Sequence, residues 1–203
     1  MSGFISRGFS GRRRVDPDIA ARLPPGQYVE SGFPVLTAGP TPQVQHEQWR
    51  LGVDGAVADP QDWSWEEFRQ FSFETVPCDI HCVTKWSKLG TSFRGVSLDV
   101  LLAEAKPRGR YAMIHSYGGY TTNLALDDLT GGKAWVVTEH ESAPLTAEHG
   151  GPARLLVPHL YFWKSAKWIR SIQIMDREEP GFWEENGYHL RGDPWKEQRY
   201  WSD

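Results

Sequence analysis

Apolar and polar residues alternate along this chain in short runs and seldom keep a helical period, so strands should outnumber helices. Trp49, Leu51 and Val53 alternate with Arg50 and Gly52 ahead of Asp54-Gly55, which predicts a strand over 47–53 closed by a tight hairpin turn. Ser64 and Glu67 have the spacing of a capping box, in which each side chain satisfies a free amide of the first turn, predicting a short helix over 65–70. Alternation over 71–76 then predicts a strand leading into Cys82. Leu98, Leu101, Leu102 and Ala105 recur at helical spacing behind Ser97 as cap, predicting an amphipathic helix that ends before Pro107-Arg108-Gly109 and packs on a sheet. Residues 111–117, 134–139, 153–157 and 168–175 read as strands bounded by glycine pairs or proline. Residues 1–45, broken by Pro24-Pro25-Gly26, Gly32-Phe33-Pro34 and Gly39-Pro40-Thr41-Pro42, read as an extended N-terminal arm. The expected architecture is α+β: one domain over 1–203, a mixed sheet, few short helices and long loops.

Composition narrows what such a domain does. The 203 residues carry 22 basic and 26 acidic side chains, a net charge of −4, and the basic ones are scattered, so nucleic acid is not an expected partner. Arg12-Arg13-Arg14 invites comparison with a twin-arginine export signal, yet Val15-Asp16-Pro17-Asp18 stands where an apolar stretch would be needed, so it reads as a basic arm. No apolar run approaches the roughly 18 residues of a membrane span, and a cytoplasmic location is expected. No GxGxxG or P-loop motif points to a nucleotide. Ten tryptophans among 20 glycines and 14 prolines imply a loop-rich fold in which aromatic rings carry much of the burial.

Three segments gather residues able to carry chemistry. Cys82, one of only two cysteines, lies beside His81 and near Lys85 and Lys88, a partly electropositive setting that favours a thiolate, a nucleophile and soft-metal ligand. It also reads as a small buried hydrophobe, as a disulfide partner of Cys78, or as a zinc ligand with Cys78 and His81. The second segment, His115-Ser116-Tyr117-Gly118-Gly119-Tyr120, runs from a strand end into a hydroxyl-rich loop. Ser116 with His115 admits a hydrolase, although no GxSxG elbow presents the serine. The third is His149-Gly150-Gly151-Pro152-Ala153-Arg154, followed by Lys164-Ser165-Ala166-Lys167-Trp168. Arg154 falls inside an apolar strand, where a cation needs an anionic partner: a bound phosphate or one of the chain's acids. Lys164 and Lys167 also read as ordinary solvated lysines.

Taken in order, these segments resemble the molybdenum-cofactor domain of the sulfite oxidase family, above all its small bacterial members related to the catalytic subunit of periplasmic methionine-sulfoxide reductase. The residues that carry it are His81-Cys82-Val83 with Trp86-Ser87, Phe93-Arg94-Gly95-Val96-Ser97-Leu98, Gly119-Tyr120-Thr121-Thr122, His149–Arg154, Lys167-Trp168-Ile169, and Glu178-Glu179-Pro180-Gly181-Phe182-Trp183. The resemblance implies a mixed-sheet, sulfite-oxidase-type fold and a mononuclear molybdenum bound by Cys82 and one pyranopterin, without haem. It implies cofactor contacts at Ser116, His149, Arg154, Ser165, Ala166 and Lys167, with Thr37 of the arm as a further polar contact. His81 and His115 join Cys82 as candidate catalytic residues. The implied activity is oxygen-atom transfer with two-electron redox on a small molecule such as a sulfoxide, sulfite or another oxyanion-like substrate, served by an electron-transfer partner; a non-catalytic cofactor- or partner-binding module keeping the same fold is the alternative. True sulfite oxidases place an arginine soon after the cysteine, where Val83-Thr84-Lys85 stands here, so oxyanion recognition would fall to His81, Lys85, His115 or Arg94.

Overall fold

The computed structural model describes residues 16–203, and the Arg12-Arg13-Arg14 cluster lies outside them. The first strands are β1 Tyr28–Val29, β2 Arg50–Gly55, β3 Gln61–Ser64, β4 Glu74–His81, β5 Trp86–Ser97 and β6 Tyr111–Ser116. They are followed by β7 Thr121–Ala125, β8 Trp135–His140, β9 Ala143–Pro144, β10 Arg154–Leu156 and β11 Ile169–Met175. The α-helices are short: α1 Pro17–Ala21, α2 Trp65–Phe68, α3 Leu98–Ala105, α4 Leu126–Leu129 and α5 Phe182–Glu185. A five-stranded sheet has the order β3-β2-β11-β6-β7, with β2 and β11 parallel and the other pairs antiparallel. A six-stranded sheet follows β1-β5-β8-β10, with β4 added to β5 and β9 to β8. Parallel and antiparallel pairs mix in both sheets, and the α+β expectation stands.

Period-two alternation sorts the side chains of the six-stranded sheet between two cores. Val96, Val136 and Leu155 face the main core, where they meet Leu51, Val53, Ile172 and Ile174 of the other sheet and Leu98, Leu101 and Leu102 of α3. Val137 and Leu156, one position along, face a second cluster with Val76, Ile80, Cys82, Trp86, Phe93 and Phe162. Each fully buried leucine of α3 contributes about 1.5–3 kcal/mol by leaving water. Ser97 caps that helix through the amide of Asp99, and Lys106 ends it in the left-handed conformation. Both bonds of the capping box form, Ser64 N–H to Glu67 at 2.8 Å and Glu67 N–H to Ser64 Oγ at 3.3 Å. That helix stops at Phe68, shorter than the predicted 65–70.

Three expectations change. Asp54 and Gly55 do not form the two-residue turn: they stay in β2, paired with Gln173 and Ile174, and the chain reverses only beyond them. Gly55 is needed there because a Cβ would strike the Ile174 carbonyl oxygen, and its φ is 80°. The strand expected over 71–76 begins at Glu74 and runs on to His81. β5, the longest strand, was not anticipated: it pairs on both sides, with β4 and β8, through registers broken by bulges, and such a strand loses clean alternation.

Candidate functional site

Cys82 opens the reversal between β4 and β5. Its N–H donates to the Trp86 carbonyl at 2.9 Å and its own carbonyl accepts from the Lys85 N–H at 3.0 Å, while Lys85 takes φ 77°. This is a three-residue hairpin loop whose last residue is left-handed, a position that usually selects glycine. The thiol is 7 % exposed, and Thr84 Oγ1 donates to its Sγ at 3.1 Å. Burial pushes the Cys82 thiol up, and the Thr84 hydrogen bond works against that shift. Cys78, on β4, is pushed up to about 12 by burial and then by Asp79, so it is the more inert thiol. Both cysteines are free, and among the described residues no three His, Cys, Asp or Glu side chains converge as metal ligands. The disulfide and zinc readings fall with those two facts.

The basic segment folds against the other end of the second cluster. Arg154 shares the face of β10 that carries Leu156, so its guanidinium points away from the main core and lies over Phe162 at 4.2 Å. It is 2 % exposed and bonds only carbonyls: His149 O at 2.9 Å, Ser165 O at 2.6 Å and, at 3.4 Å, Leu155 O. Lys167 likewise bonds the carbonyls of Leu36, at 2.7 Å, and Glu148, at 2.8 Å. Neither cation meets a carboxylate among the described residues. Burial brings Arg154 down to about 9; burial and then the charge of Arg154 bring Lys167 down to about 8. His149, stacked on Phe33 at 4.0 Å and 8°, is held down to about 4 by burial and then by the two cations, so it is neutral at pH 7. Two cations this close, with no acid beside them, leave a positive concavity suited to an anionic group. The amides of Ala166 and Lys167 meet no acceptor among the described residues, whereas that of Ser165 is used by Phe162 O.

A cavity of about 380 Å³ joins the two parts. Val83, Thr84 and Trp86 of the cysteine hairpin line one side, and His149, Arg154, Ser165, Ala166 and Lys167 another. Phe33, Pro34 and Leu36–Pro40 of the arm, Thr37 included, line it with Gly118, Gly119, Tyr120, Phe162, Trp163, Trp168, Phe182, Trp183 and Tyr188; Cys82 itself lies behind the lining, and no Asp or Glu is among these residues. Other candidates fall outside. His81 Nδ1 pairs with Ser87 Oγ at 2.8 Å, and burial lowers its proton affinity. His115 shares β6 with core-facing Ile114 but projects to the opposite face, where it bonds Gln173 at 3.2 Å. Arg94 pairs with Glu139 at 2.9 Å, and Lys85 is exposed. The oxyanion role expected of these four therefore has no support from their positions. Ser116 is buried, its Oγ has no partner among the described residues, and it stands outside the lining. Lys164 is not solvated: it is fully buried against Glu184 at 2.6 Å. Sequence reasoning missed Phe33 as the partner of His149 and the aromatic wall, whose only signal was the density of tryptophans.

The positive cradle and the aromatic walls make a concavity beside the cysteine turn that suits an anionic ligand. The family described as oxidoreductase molybdopterin binding domain matches residues 38–183. An oxidoreductase of Bacillus subtilis, YuiH, named as uncharacterized, is 44 % identical over 189 residues, covering 92 % of this chain and 96 % of that one. The protein-methionine-sulfoxide reductase catalytic subunit MsrP of Pseudomonas syringae is 24 % identical, over 85 % of this chain and 58 % of its own. The sulfane dehydrogenase SoxCD of Paracoccus pantotrophus shares the fold, with a TM-score of 0.61 at 21 % identity, over 87 % of this chain and 57 % of that one. The chain belongs to the sulfite oxidase family of molybdopterin-binding oxidoreductases. It spans little more than half the length of MsrP and of that SoxCD chain.

Proposed function

We propose that the chain is an oxygen-atom-transfer enzyme in which Cys82 ligates molybdenum and the basic cradle holds the pterin's phosphate. The observation that carries the reading is Arg154, a buried cation at a cavity with no acid on its walls. Arg154 and Lys167 neutralise the phosphate, the free amides of Ala166 and Lys167 add donors, and His149, neutral and stacked on Phe33, serves as a flat polar wall. Thr37 and the adjoining arm cover the cofactor from the open side. When bound, the molybdenum cofactor supplies two-electron redox coupled to transfer of one oxygen atom. In the reducing direction a substrate XO takes up two electrons and two protons and leaves as X and water, the electrons coming from a separate partner.

The substrate we favour is small, uncharged and centred on sulfur, such as a sulfoxide. With both cavity cations committed to phosphate, the remaining walls are aromatic and hydroxylic: Trp86, Tyr120, Trp183, Tyr188 and Thr84. Among the described residues an oxyanion such as sulfite finds no further cation there. The names of MsrP and SoxCD, a methionine-sulfoxide reductase and a sulfane dehydrogenase, both describe work at sulfur. Metal analysis of protein made in a host that synthesises the cofactor tests the reading. Near-stoichiometric molybdenum, lost in Cys82→Ser, is the expected result; protein that never carries molybdenum would sink it. Reduced-dye assays should then turn over sulfoxides in preference to sulfite.

A further inference from the structure

The cysteine turn is held from outside its own hairpin. Three of its carbonyls accept hydrogen bonds from the two ends of the chain: Cys82 O from Gln27 Nε2 at 3.1 Å, Val83 O from Arg199 Nη1 at 2.6 Å, and Lys85 O from the Tyr28 N–H at 2.9 Å. Gln27, Tyr28 and Arg199 all lie beyond residues 38–183, the part that matches the family. Arg199 also reaches Pro25 O at 3.4 Å, tying arm to tail, and its guanidinium lies over Tyr161 at 4.9 Å. It is 9 % exposed and meets no carboxylate with its side chain among the described residues, while its amide is fixed by Asp203 at 3.0 Å. A charge kept this dry without an anion is costly, and its side-chain hydrogen bonds go to one carbonyl of the cysteine turn, Val83 O, and one of the arm, Pro25 O. That loop carries a left-handed Lys85, which by itself favours other conformations by about 1 kcal/mol or more.

We infer that Arg199 is a positioning residue, the centre of a collar formed with Gln27 and Tyr28 that fixes the Cys82 turn in its ligating shape. The collar rests on the reading of Cys82 as the metal ligand. It acts through the backbone: its contact with the cavity lining is the Val83 carbonyl, and its bonds go to none of the cradle residues. The segments around Gln27-Tyr28 and Arg199 therefore belong to the functional unit, because the turn alone does not determine where the thiol points.

Thiol modification of cofactor-free protein tests this in a Cys78→Ser background, where Cys82 is the only thiol. Arg199→Gln should raise the rate of Cys82 alkylation by iodoacetamide about tenfold or more, by local opening of the turn, with little change in the urea midpoint. Arg199→Lys, which keeps a donor for Val83 O, should restore most of the protection. An alkylation rate equal to the parent's overturns the inference, as does an acceleration matched by an equal loss of global stability. If Arg199→Gln does not fold, Gln27→Met removes the donor that reaches the Cys82 carbonyl from outside the turn instead, and unchanged labelling there has the same force. No metal enters this readout, so molybdenum retained by Cys82→Ser would end the proposed function and leave the collar standing.

Discussion

Lys164 and Arg154 are buried cations ten positions apart in one basic segment, and they have opposite surroundings. Lys164 Nζ meets Glu184 at 2.6 Å and both oxygens of Asn123, backbone at 2.8 Å and side chain at 2.9 Å. Thr122 and Trp163 add donors to the same Glu184 oxygen, each at 2.9 Å. Arg154 has carbonyls for company and an open cavity in front of it. Burial alone therefore does not mark a functional cation. Surroundings separate the two: Lys164 completes a structural lock between β7 and α5, whereas Arg154 meets no protein anion among the described residues and borders the cavity, the setting we propose for the cofactor's phosphate.

Breaking one half of the Lys164 pair should have the largest effect on stability. Lys164→Met leaves Glu184 charged and dry, at a cost of about 3–5 kcal/mol in urea unfolding. Replacing both partners, Lys164→Met with Glu184→Leu, should recover most of that loss; a double variant as weak as the single one would show that the network's other hydrogen bonds dominate. Arg154→Met should do the reverse. Cofactor-free protein should be as stable as the parent or slightly more so, since an unpaired charge is removed, while cofactor retention falls about 10–100-fold through the lost charge-assisted bonds. Equal molybdenum content in Arg154→Met and parent would erase the distinction between the two cations.

The contrast was only half visible in the sequence. Arg154 stood out because its flanks, Ala153 and Leu155-Leu156-Val157, are apolar, and Cys82 because the chain has so few cysteines. Lys164 offered no such signal: its anion lies 20 positions ahead on α5, and no local pattern reports a pairing at that range. The collar was less legible still, since Val83 and Arg199 are 116 positions apart. In the fold, α3 and the capping box could be read because their signals are local, cap and period within one or two turns. β5 could not, because bulges and pairing on both sides replace alternation by the pattern of a buried strand. His115 was misplaced for a related reason: a one-residue step along β6 exchanges the core face for the outer one.

The difference between the two cations also predicts proton uptake. Lys167 lies down at about 8 and Arg154 at about 9, because burial disfavours their charged forms and, for Lys167, the charge of Arg154 adds to it. A dianion bound between them raises both values, so near pH 9 each bound inorganic phosphate should bring up to about one proton into the complex. Calorimetry in buffers of different ionisation enthalpy reads that number directly. Lys164, already paired, contributes nothing to it, so Lys164 variants that fold should give the parental value and Lys167→Met a smaller one. Binding without proton uptake in the parent would place the phosphate away from the cradle.

The smallest expected effect is on His149, whose neutrality burial enforces and the same pair of cations reinforces. Held at about 4 in the folded protein against an ordinary value of 6.5, it binds fewer protons folded than unfolded between those limits. Stability therefore falls as the pH drops from about 6.5 to 4, and the loss is complete below 4, where the side chain is protonated in both states. His149→Phe keeps a flat ring against Phe33 and removes the titration, so the variant's stability curve should be flatter than the parent's over that window. The part due to Arg154 should disappear as well in Arg154→Met, where the histidine regains proton affinity. A parental acid limb unchanged in both variants would mean that the carboxylates alone set it, and that the cradle does not press on His149 as its geometry implies.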